Sequence, residues 1–330
     1  PPYEESLPDA LLLPQCGPAV SRIQRALRSA ERIAIFGDYD VDGIAGSALL
    51  ADALTLLGSP VTVDLPHRED GYGLSLDAVR RLVPSHTLLI TVDNGTAARD
   101  AVAEALRLEA DVIILDHHTV QGALPPGALV VNPHLASSRY PHKTLSAPGV
   151  VWKVVSALFA AEHRGGEEKY LLDLVLLGTL ADSMDLQGEN RALVRWGLEV
   201  LRRTRRVGLR VLAEQAGLAI STVTAEEVTF KLIPRLNAAG RVRHASLALE
   251  LLRAEDQGAA RRLAMELDAA NSERKLLTEE ILEDVTRTLP ADIPPILFVA
   301  GPWPLGILGI LASRLAEERC RPTVAVAVRD

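Results

Sequence analysis

Three aspartates at every second position form the densest group of possible metal ligands in the sequence. Asp38, Asp40 and Asp42 follow an apolar run and precede Gly43, in the segment DYDVDG at 38–43. In an extended segment these side chains would share one face, where like charges raise each other's pKa unless cations or hydrogen-bond donors are present. The pattern therefore predicts a divalent metal site. The alternative is that Asp42 caps the next helix and the other two are solvated loop residues.

Further acidic and imidazole groups stand at the ends of other apolar runs. Asp93 follows LLITV, His117 and His118 follow VIILD, and Asp182 follows the run LLGTLA. If the strands are parallel, their carboxyl ends meet at one edge of a sheet, where open α/β sheets bind ligands. Taken singly, Asp93 also fits a turn, the histidines fit structural roles and Asp182 fits a helix cap. Their joint occurrence favours metal ligation.

The elements that must position these groups follow a strand-helix alternation. It predicts strands over residues 32–37, 61–65, 87–92, 112–115 and 128–132, with helices over 43–57, 74–82 and 97–107. Helical patterns then run from 148 to 289, and a strand-helix-strand pattern returns at 296–300, 306–318 and 323–328. This rhythm predicts an α/β fold with a parallel sheet, a helical connecting region and the start of a second α/β domain.

The composition bounds the class of protein. The chain has 330 residues, 48% of them hydrophobic, and a formal net charge of -8. The net negative charge does not attract nucleic acid to the protein surface as a whole, so nucleic-acid contacts require local patches of basic residues. Cys16 and Cys320 are the only cysteines and lie far apart, which gives neither a disulfide framework nor a cysteine zinc site. No signal peptide or membrane span is recognisable, and we expect a cytoplasmic protein.

Four segments in this order resemble the motifs of the DHH phosphoesterase superfamily. They are DYDVDG at 38–43, DNG at 93–95, DHH at 116–118 and GTLAD at 178–182. The segments FKLIPRLNAAGR at 230–241 and NSERK at 271–275 resemble the RecJ branch of single-strand-specific 5′→3′ exonucleases. The segment GILGILASRL at 306–315 resembles the start of the accompanying DHHA1 domain. Together the likeness covers residues 32 to 328.

The resemblance implies a phosphodiester hydrolase with two divalent cations, usually Mn²⁺ or Mg²⁺. Such an enzyme removes 5′-mononucleotides from single-stranded DNA, with a metal-bound hydroxide as the nucleophile. The implied metal ligands are Asp38, Asp40, Asp42, Asp93, His117 and Asp182. Asp40, Asp93, His117 and His118 are the implied catalytic residues. His118 would donate to the phosphate or carry a proton to the leaving oxygen, or alternatively support His117.

The 5′ end of the DNA needs its own binding groups. Guanidinium groups match phosphate, and a glycine-rich turn before a helix exposes backbone N–H groups to anions. The candidates are Arg235, Asn237 and Arg241, or alternatively Ser313 and Arg314. For Arg235 and Arg314 a purely structural or solvated role is the alternative. Pro304 stands where the DHHA1 motif commonly has histidine, and proline has no N–H to donate to DNA.

The resemblance also suggests how the chain is divided. We predict an entry segment at 1–31, a DHH domain at 32–200, a helical connector at 201–294 and a truncated DHHA1 start at 295–330. Single-stranded DNA is the implied partner, with a single-strand-binding protein and a helicase as further partners of a monomer. The rival functions are a DHH phosphodiesterase that acts on short oligonucleotides or cyclic dinucleotides, and a non-catalytic scaffold.

Overall fold

The computed structural model describes residues 7–290 and 293–328. The first six residues of the predicted entry segment therefore lie outside the described residues. The rest of that segment contains helix α1 (Cys16–Arg28), which leads into the first strand. Its buried Cys16, Ala19 and Ile23 recur at helical spacing and pack onto the main core.

A parallel sheet of five strands forms the centre of the first domain. The strands are β1 (Ile33–Phe36), β2 (Val61–Asp64), β3 (Leu88–Val92), β4 (Asp111–Leu115) and β5 (Leu129–Val131). Their order is β2-β1-β3-β4-β5, and all four pairings are parallel. All five predicted strands are present and the predicted α/β class is confirmed. All strands run the same way, so their carboxyl ends share one edge.

Helices cover both faces of this sheet. In β1, Ile33 and Ile35 belong to one apolar cluster, whereas Ala34 and Phe36 belong to the other, as the two-residue period of a strand requires. The helices of this part are α2 (Val41–Leu56), α3 (Leu76–Leu82), α4 (Arg99–Arg107), α5 (Ala147–Ala161), α6 (Leu172–Ala181) and α7 (Gly188–Arg202). Helices α2 and α6 are buried along most of their length, because neighbouring helices enclose them.

The predicted helical connecting region is present. It contains α8 (Val207–Gln215), the short α9 (Ala225–Glu227), α10 (Ile233–Val242), α11 (Ser246–Arg253) and the 32-residue α12 (Gln257–Thr288). Between α9 and α10 the segment Val228–Leu232 is π-helical. Helix α12 packs on α8, α10 and α11 and reaches the last part of the chain.

The last part has its own small core. Strands β6 (Leu297–Gly301) and β7 (Thr323–Ala327) pair in parallel, and α13 (Leu305–Arg319) connects them. Leu297, Val299, Ile307 and Leu311 pack there against the end of α12. The assignment of this part to a DHHA1 domain and the boundaries of the four predicted segments stay predictions. Among the described residues, no helix combines the length and apolar character needed to cross a membrane.

Candidate metal centre

The three aspartates of segment 38–43 lie where β1 passes into α2. Asp40 is the N-cap, and its Oδ1 accepts hydrogen bonds from the N–H groups of Asp42 (3.0 Å) and Gly43 (3.2 Å). The helix begins at Val41, so the expectation of an extended segment through Asp42 is wrong. The physical reason is the cap, since Asp40 satisfies the first free N–H groups of the helix. The three carboxylates nevertheless remain at the same sheet edge.

The turn after β3 brings Asp93 to the same edge. Asp93 is 3% exposed and adopts φ +67°, a left-handed conformation that aspartate and asparagine tolerate better than most residues. Asn94 holds the turn, because its Nδ2 donates to the Val92 carbonyl at 2.9 Å. Asp93 therefore adopts the backbone conformation of a turn residue, and its carboxylate also lies where it could bind a metal ion.

Asp116 fixes the turn after β4. Its Oδ1 accepts from the backbone N–H of His117 (2.7 Å) and of His118 (3.1 Å), and its Oδ2 accepts from the N–H of Thr96 (3.2 Å). Burial opposes its ionisation, but the hydrogen bonds from His118 and Thr96 hold the pKa of Asp116 below its usual range. This ionised carboxylate orients the two histidines, a role that sequence reasoning did not assign to it.

His117 lies at the centre of the acidic cluster. Its Nε2 is 3.1 Å from Asp93 Oδ1, 3.4 Å from Asp42 Oδ2 and 3.8 Å from Asp182 Oδ2. Three overlapping groups each have ligand atoms within 4.8 Å of one another, namely Asp38–Asp40–Asp93, Asp42–His117–Asp182 and Asp93–His117–His118. The structure thus brings together all seven residues predicted as metal ligands or catalytic groups.

Asp42 is held by a backbone hydrogen bond and by close packing. Its Oδ2 accepts from the N–H of Ala147 (2.8 Å), the first residue of α5, whose positive N-terminal dipole favours a carboxylate. Gly178 of α6 faces its Oδ1, and a Cβ at that position would overlap this oxygen. Four residues further on, Asp182 caps the end of α6 beside His117. The segment 178–182 therefore both shapes and completes the cluster.

The buried carboxylates have the properties expected of metal ligands. Asp38 Oδ1 and Asp42 Oδ1 are buried and have no hydrogen-bond partner among the described residues. Burial and then the charge of Asp40 raise the pKa of Asp38 to about 7. Burial and neighbouring carboxylates also raise the pKa of Asp42 and of Asp93. Oxygen and imidazole donors with free lone pairs fit Mn²⁺ or Mg²⁺, which makes two adjacent ion sites chemically reasonable.

The raised pKa of Asp38 predicts how the stability of the metal-free protein varies with pH. Its ordinary value is 3.8 and its folded value is about 7, so the folded state binds the proton more tightly than the unfolded state. Below about pH 4 the protonated Asp38 carboxyl makes its full contribution to the stability of the folded state. This contribution is lost as pH rises through about 7. We expect the free energy of unfolding to fall by an amount on the order of 4 kcal/mol over this range.

Urea unfolding of chelator-treated protein at pH 4 and pH 8 measures this effect. Mn²⁺ should restore the lost stability at pH 8, because bound cations offset the buried negative charge. Asp38→Asn should reduce the pH dependence, and the raised pKa values of Asp42 and Asp93 should account for what remains. Equal stability of the metal-free protein at both pH values would contradict the expectation.

His118 is more exposed than His117 and is held by two neighbours. Its Nδ1 lies 2.7 Å from Asp116 Oδ1, and its Nε2 lies 3.2 Å from Tyr72 Oη. The Tyr72 hydroxyl also donates to the Asp93 carbonyl at 2.8 Å. With 47% of its side chain exposed, His118 borders the solvent side of the cluster. Among the described residues, no hydrogen bond joins the rings of His117 and His118. The alternative role of His118, in which it supports His117, therefore does not rest on a direct hydrogen bond.

The five residues predicted to bind the 5′ end have different partners in the structure. Arg235 Nε pairs with Asp268 at 2.8 Å, and Arg314 Nη1 pairs with Glu279 at 2.9 Å. Ser313 is exposed on α13. The side chain of Asn237 instead accepts from the N–H of Val41 at 3.0 Å and braces the start of α2. Arg241 interacts electrostatically with Asp40 and donates to the Gly306 carbonyl at 2.9 Å.

Arg68 is a candidate binding residue that the sequence reasoning missed. Its guanidinium stacks on the Tyr39 ring with its carbon 4.0 Å from the centroid, and its Nε donates to the Gly240 carbonyl at 2.9 Å. Its charge also opposes the upward shift of the Asp38 pKa. The sequence feature that could have identified Arg68 is its position after strand β2, because the loop there begins at the same sheet edge as the acidic turns.

Comparisons with known proteins agree with this fold. The family model described as "DHH family, N-terminal domain" matches residues 32–179. A structure titled "Crystal structure of exonuclease RecJ bound to manganese" matches with a TM-score of 0.88 and 35% identity, covering 97% of this chain and 81% of that chain. The chain belongs to the RecJ family. The predicted family membership is thereby confirmed.

Other members of the RecJ family give a consistent comparison. A RecJ structure in complex with Mn²⁺ from Thermus thermophilus matches with a TM-score of 0.87 and 34% identity, covering 98% of this chain and 47% of that chain. The single-stranded-DNA-specific exonuclease RecJ of Bacillus subtilis (strain 168) is 36% identical over 317 residues, which are 94% of this chain and 40% of the relative. The chain spans about half the length of the curated RecJ relatives, with shares of 40% to 57%.

Proposed function

We propose that this chain carries the hydrolytic centre of a RecJ-type exonuclease that removes 5′-mononucleotides from single-stranded DNA. The observation that supports this most strongly is the convergence of Asp38, Asp42, Asp93 and His117 at one sheet edge with two buried, unpartnered carboxylate oxygens. The RecJ structures with manganese and the curated relatives named as single-stranded-DNA-specific exonucleases support this substrate class.

Two groups of side chains would hold two divalent cations, Mn²⁺ or Mg²⁺. Asp38, Asp40 and Asp93 form one group, and Asp42, His117 and Asp182 form the other. Asp93 is close to members of both groups, which suits a shared ligand. When bound, the cations would promote ionisation of a water molecule and neutralise charge on the phosphate. The helix dipole at Ala147 and the packing of Gly178 keep Asp42 in place for this task.

The remaining groups of the site would orient the substrate. Asp116 presents His118 on the solvent side, where an N–H can donate to a phosphate oxygen or pass a proton to the leaving oxygen. Arg68 interacts electrostatically with Asp38, and Arg241 does so with Asp40, so both guanidinium groups suit the 5′ end of the strand. A cytoplasmic location, a monomeric state and association with a single-strand-binding protein and a helicase are proposed from the family resemblance alone.

Cleavage of a long 5′-phosphorylated oligonucleotide with Mn²⁺ tests the proposed function. We expect mononucleotides released from the 5′ end of single-stranded DNA and almost no release from a blunt duplex. A phosphodiesterase for small substrates would leave the long strand intact and hydrolyse a dinucleotide or cyclic dinucleotide. A scaffold would hydrolyse none of them. Because the chain spans about half of its curated relatives, the assay uses this chain and a full-length relative side by side.

A further inference from the structure

Helix α10 contacts the peptide groups on both sides of Asp40. Asn237 Oδ1 accepts a hydrogen bond from the N–H of Val41 at 3.0 Å, and this N–H belongs to the peptide group that follows Asp40. A Cβ at Gly240 would overlap the carbonyl oxygen of Tyr39, which belongs to the peptide group that precedes Asp40. Asn237 and Gly240 are three residues apart, so they lie on one face of α10. The absence of a side chain at Gly240 permits the close approach of this face to the turn.

Asn237 completes the capping of α2. Of the first three N–H groups of this helix, two donate to Asp40 Oδ1, those of Asp42 and Gly43. The third belongs to Val41, whose side chain is buried. A buried N–H that loses its acceptor is costly, so without Asn237 the turn would move until the Val41 N–H finds another partner. The hydrogen bond between Val41 and Asn237 therefore holds the backbone of Asp40 in place.

Tyr39 is held by α10 and by the loop after β2. The Arg68 guanidinium carbon lies 4.0 Å from the centroid of the Tyr39 ring, and Arg68 Nε donates to the Gly240 carbonyl at 2.9 Å. The ring and the carbonyl of Tyr39 thus contact Arg68 and Gly240, which are themselves joined by a hydrogen bond. Tyr39 stands between Asp38 and Asp40 in the sequence, so its position limits how far these two carboxylates can separate.

The two groups of candidate ligands have different supports. The first cation group is Asp38, Asp40 and Asp93, and the second cation group is Asp42, His117 and Asp182. Asp42 Oδ2 accepts from the N–H of Ala147 in α5, and its Oδ1 faces Gly178 of α6. Helices α5 and α6 therefore support the second cation group, whereas α10 supports the turn at Asp40. A change in α10 should disturb the first cation group selectively.

We propose that Asn237 is a positioning residue that, together with Gly240, fixes Asp40 in the first cation group. This inference rests on the proposed function. Asn237 acts through the backbone of Asp40, because its side-chain oxygen accepts from the Val41 N–H. Replacement of a residue that orients a metal ligand typically changes metal affinity by about 10- to 100-fold. Loss of Asn237 should therefore weaken cation binding at the first cation group and leave the second cation group unchanged.

The test measures Mn²⁺ affinity by isothermal titration calorimetry in the absence of DNA, with one cation group disabled at a time. Asp182→Asn leaves the first cation group intact, and Asp38→Asn leaves the second intact. Asn237→Leu keeps the size of the side chain and removes the acceptor. It should weaken Mn²⁺ binding about 10- to 100-fold in the Asp182→Asn background and by less than about twofold in the Asp38→Asn background. Asn237→Asp keeps an acceptor oxygen and should retain the affinity in both backgrounds.

A selective loss distinguishes positioning of Asp40 from a general loss of structure, and urea unfolding checks that each variant is folded. Gly240→Ala changes the same turn through Tyr39 and should give the same selective loss. Equal Mn²⁺ affinity with and without Asn237→Leu in the Asp182→Asn background, or an equal loss in both backgrounds, would overturn the inference. If the unsubstituted chain binds no Mn²⁺, the proposed function fails and this inference fails with it. Normal Mn²⁺ binding without the selective loss removes only the role of Asn237.

Discussion

Replacing Asp93 with asparagine should reduce cleavage of 5′-phosphorylated single-stranded DNA by several orders of magnitude. Asp93 is near ligands of both candidate cation sites, so its loss would disturb both ions together. Asparagine tolerates the left-handed backbone at φ +67° and preserves the size of the side chain. Single-turnover cleavage with Mn²⁺ measures the effect, and Asp93→Ala should give a loss of the same order.

The stability of the same variant separates a lost ligand from a lost fold. Burial and four neighbouring carboxylates raise the pKa of Asp93, so removal of its charge should leave the metal-free protein at least as stable at pH 8. The matched control is Asp100→Asn, an exposed aspartate in the helix that follows the same turn, which should cleave at the unsubstituted rate. Near-normal cleavage by Asp93→Asn would remove Asp93 from the centre of the site.

A methyl group added at Gly178 should lower cleavage roughly a hundredfold, although Gly178 is not itself a ligand. The new Cβ would overlap Asp42 Oδ1 and the ring of Pro148, so the carboxylate must move. A displacement of about 1 Å at a catalytic group can cost about two orders of magnitude in rate. Mn²⁺ affinity, measured by isothermal titration calorimetry, should fall in parallel with cleavage by Gly178→Ala.

Gly309→Ala is the matched control for the change at Gly178. Gly309 is also a helical glycine, but a Cβ there would meet nothing within 4 Å. Alanine should stabilise α13 by about 0.5 to 1 kcal/mol and leave cleavage unchanged. If Gly178→Ala retains both Mn²⁺ affinity and cleavage, the close packing of α6 against Asp42 has no part in shaping the site.

The sheet and its acidic edge were predictable from the sequence for a simple physical reason. Each strand is a short apolar run bounded by polar turns, and parallel strands must place those turns at one edge. Asp93, His117 and Asp182 could therefore be brought together without coordinates. The start of α2 was placed too late, because the capping of the helix by Asp40 shortens the extended segment by local hydrogen bonds that periodicity does not reveal.

The roles of the arginines were much less predictable. Whether a guanidinium is free depends on which carboxylate a neighbouring helix presents, and that depends on helix packing. Arg235 faces Asp268 of α12, 33 residues away, whereas Arg68 reaches the carbonyl of Gly240, 172 residues away. Neither contact has a local sequence signal. The resemblance identified the segments that contain such residues but not the direction in which each side chain points.

Diffraction from crystals grown with Mn²⁺, with anomalous data collected at the manganese edge, would locate the metal ions directly. We expect two adjacent anomalous peaks, one beside Asp38, Asp40 and Asp93 and the other beside Asp42, His117 and Asp182. Peaks absent from this sheet edge at saturating Mn²⁺, or bound only to other groups, would contradict this expectation.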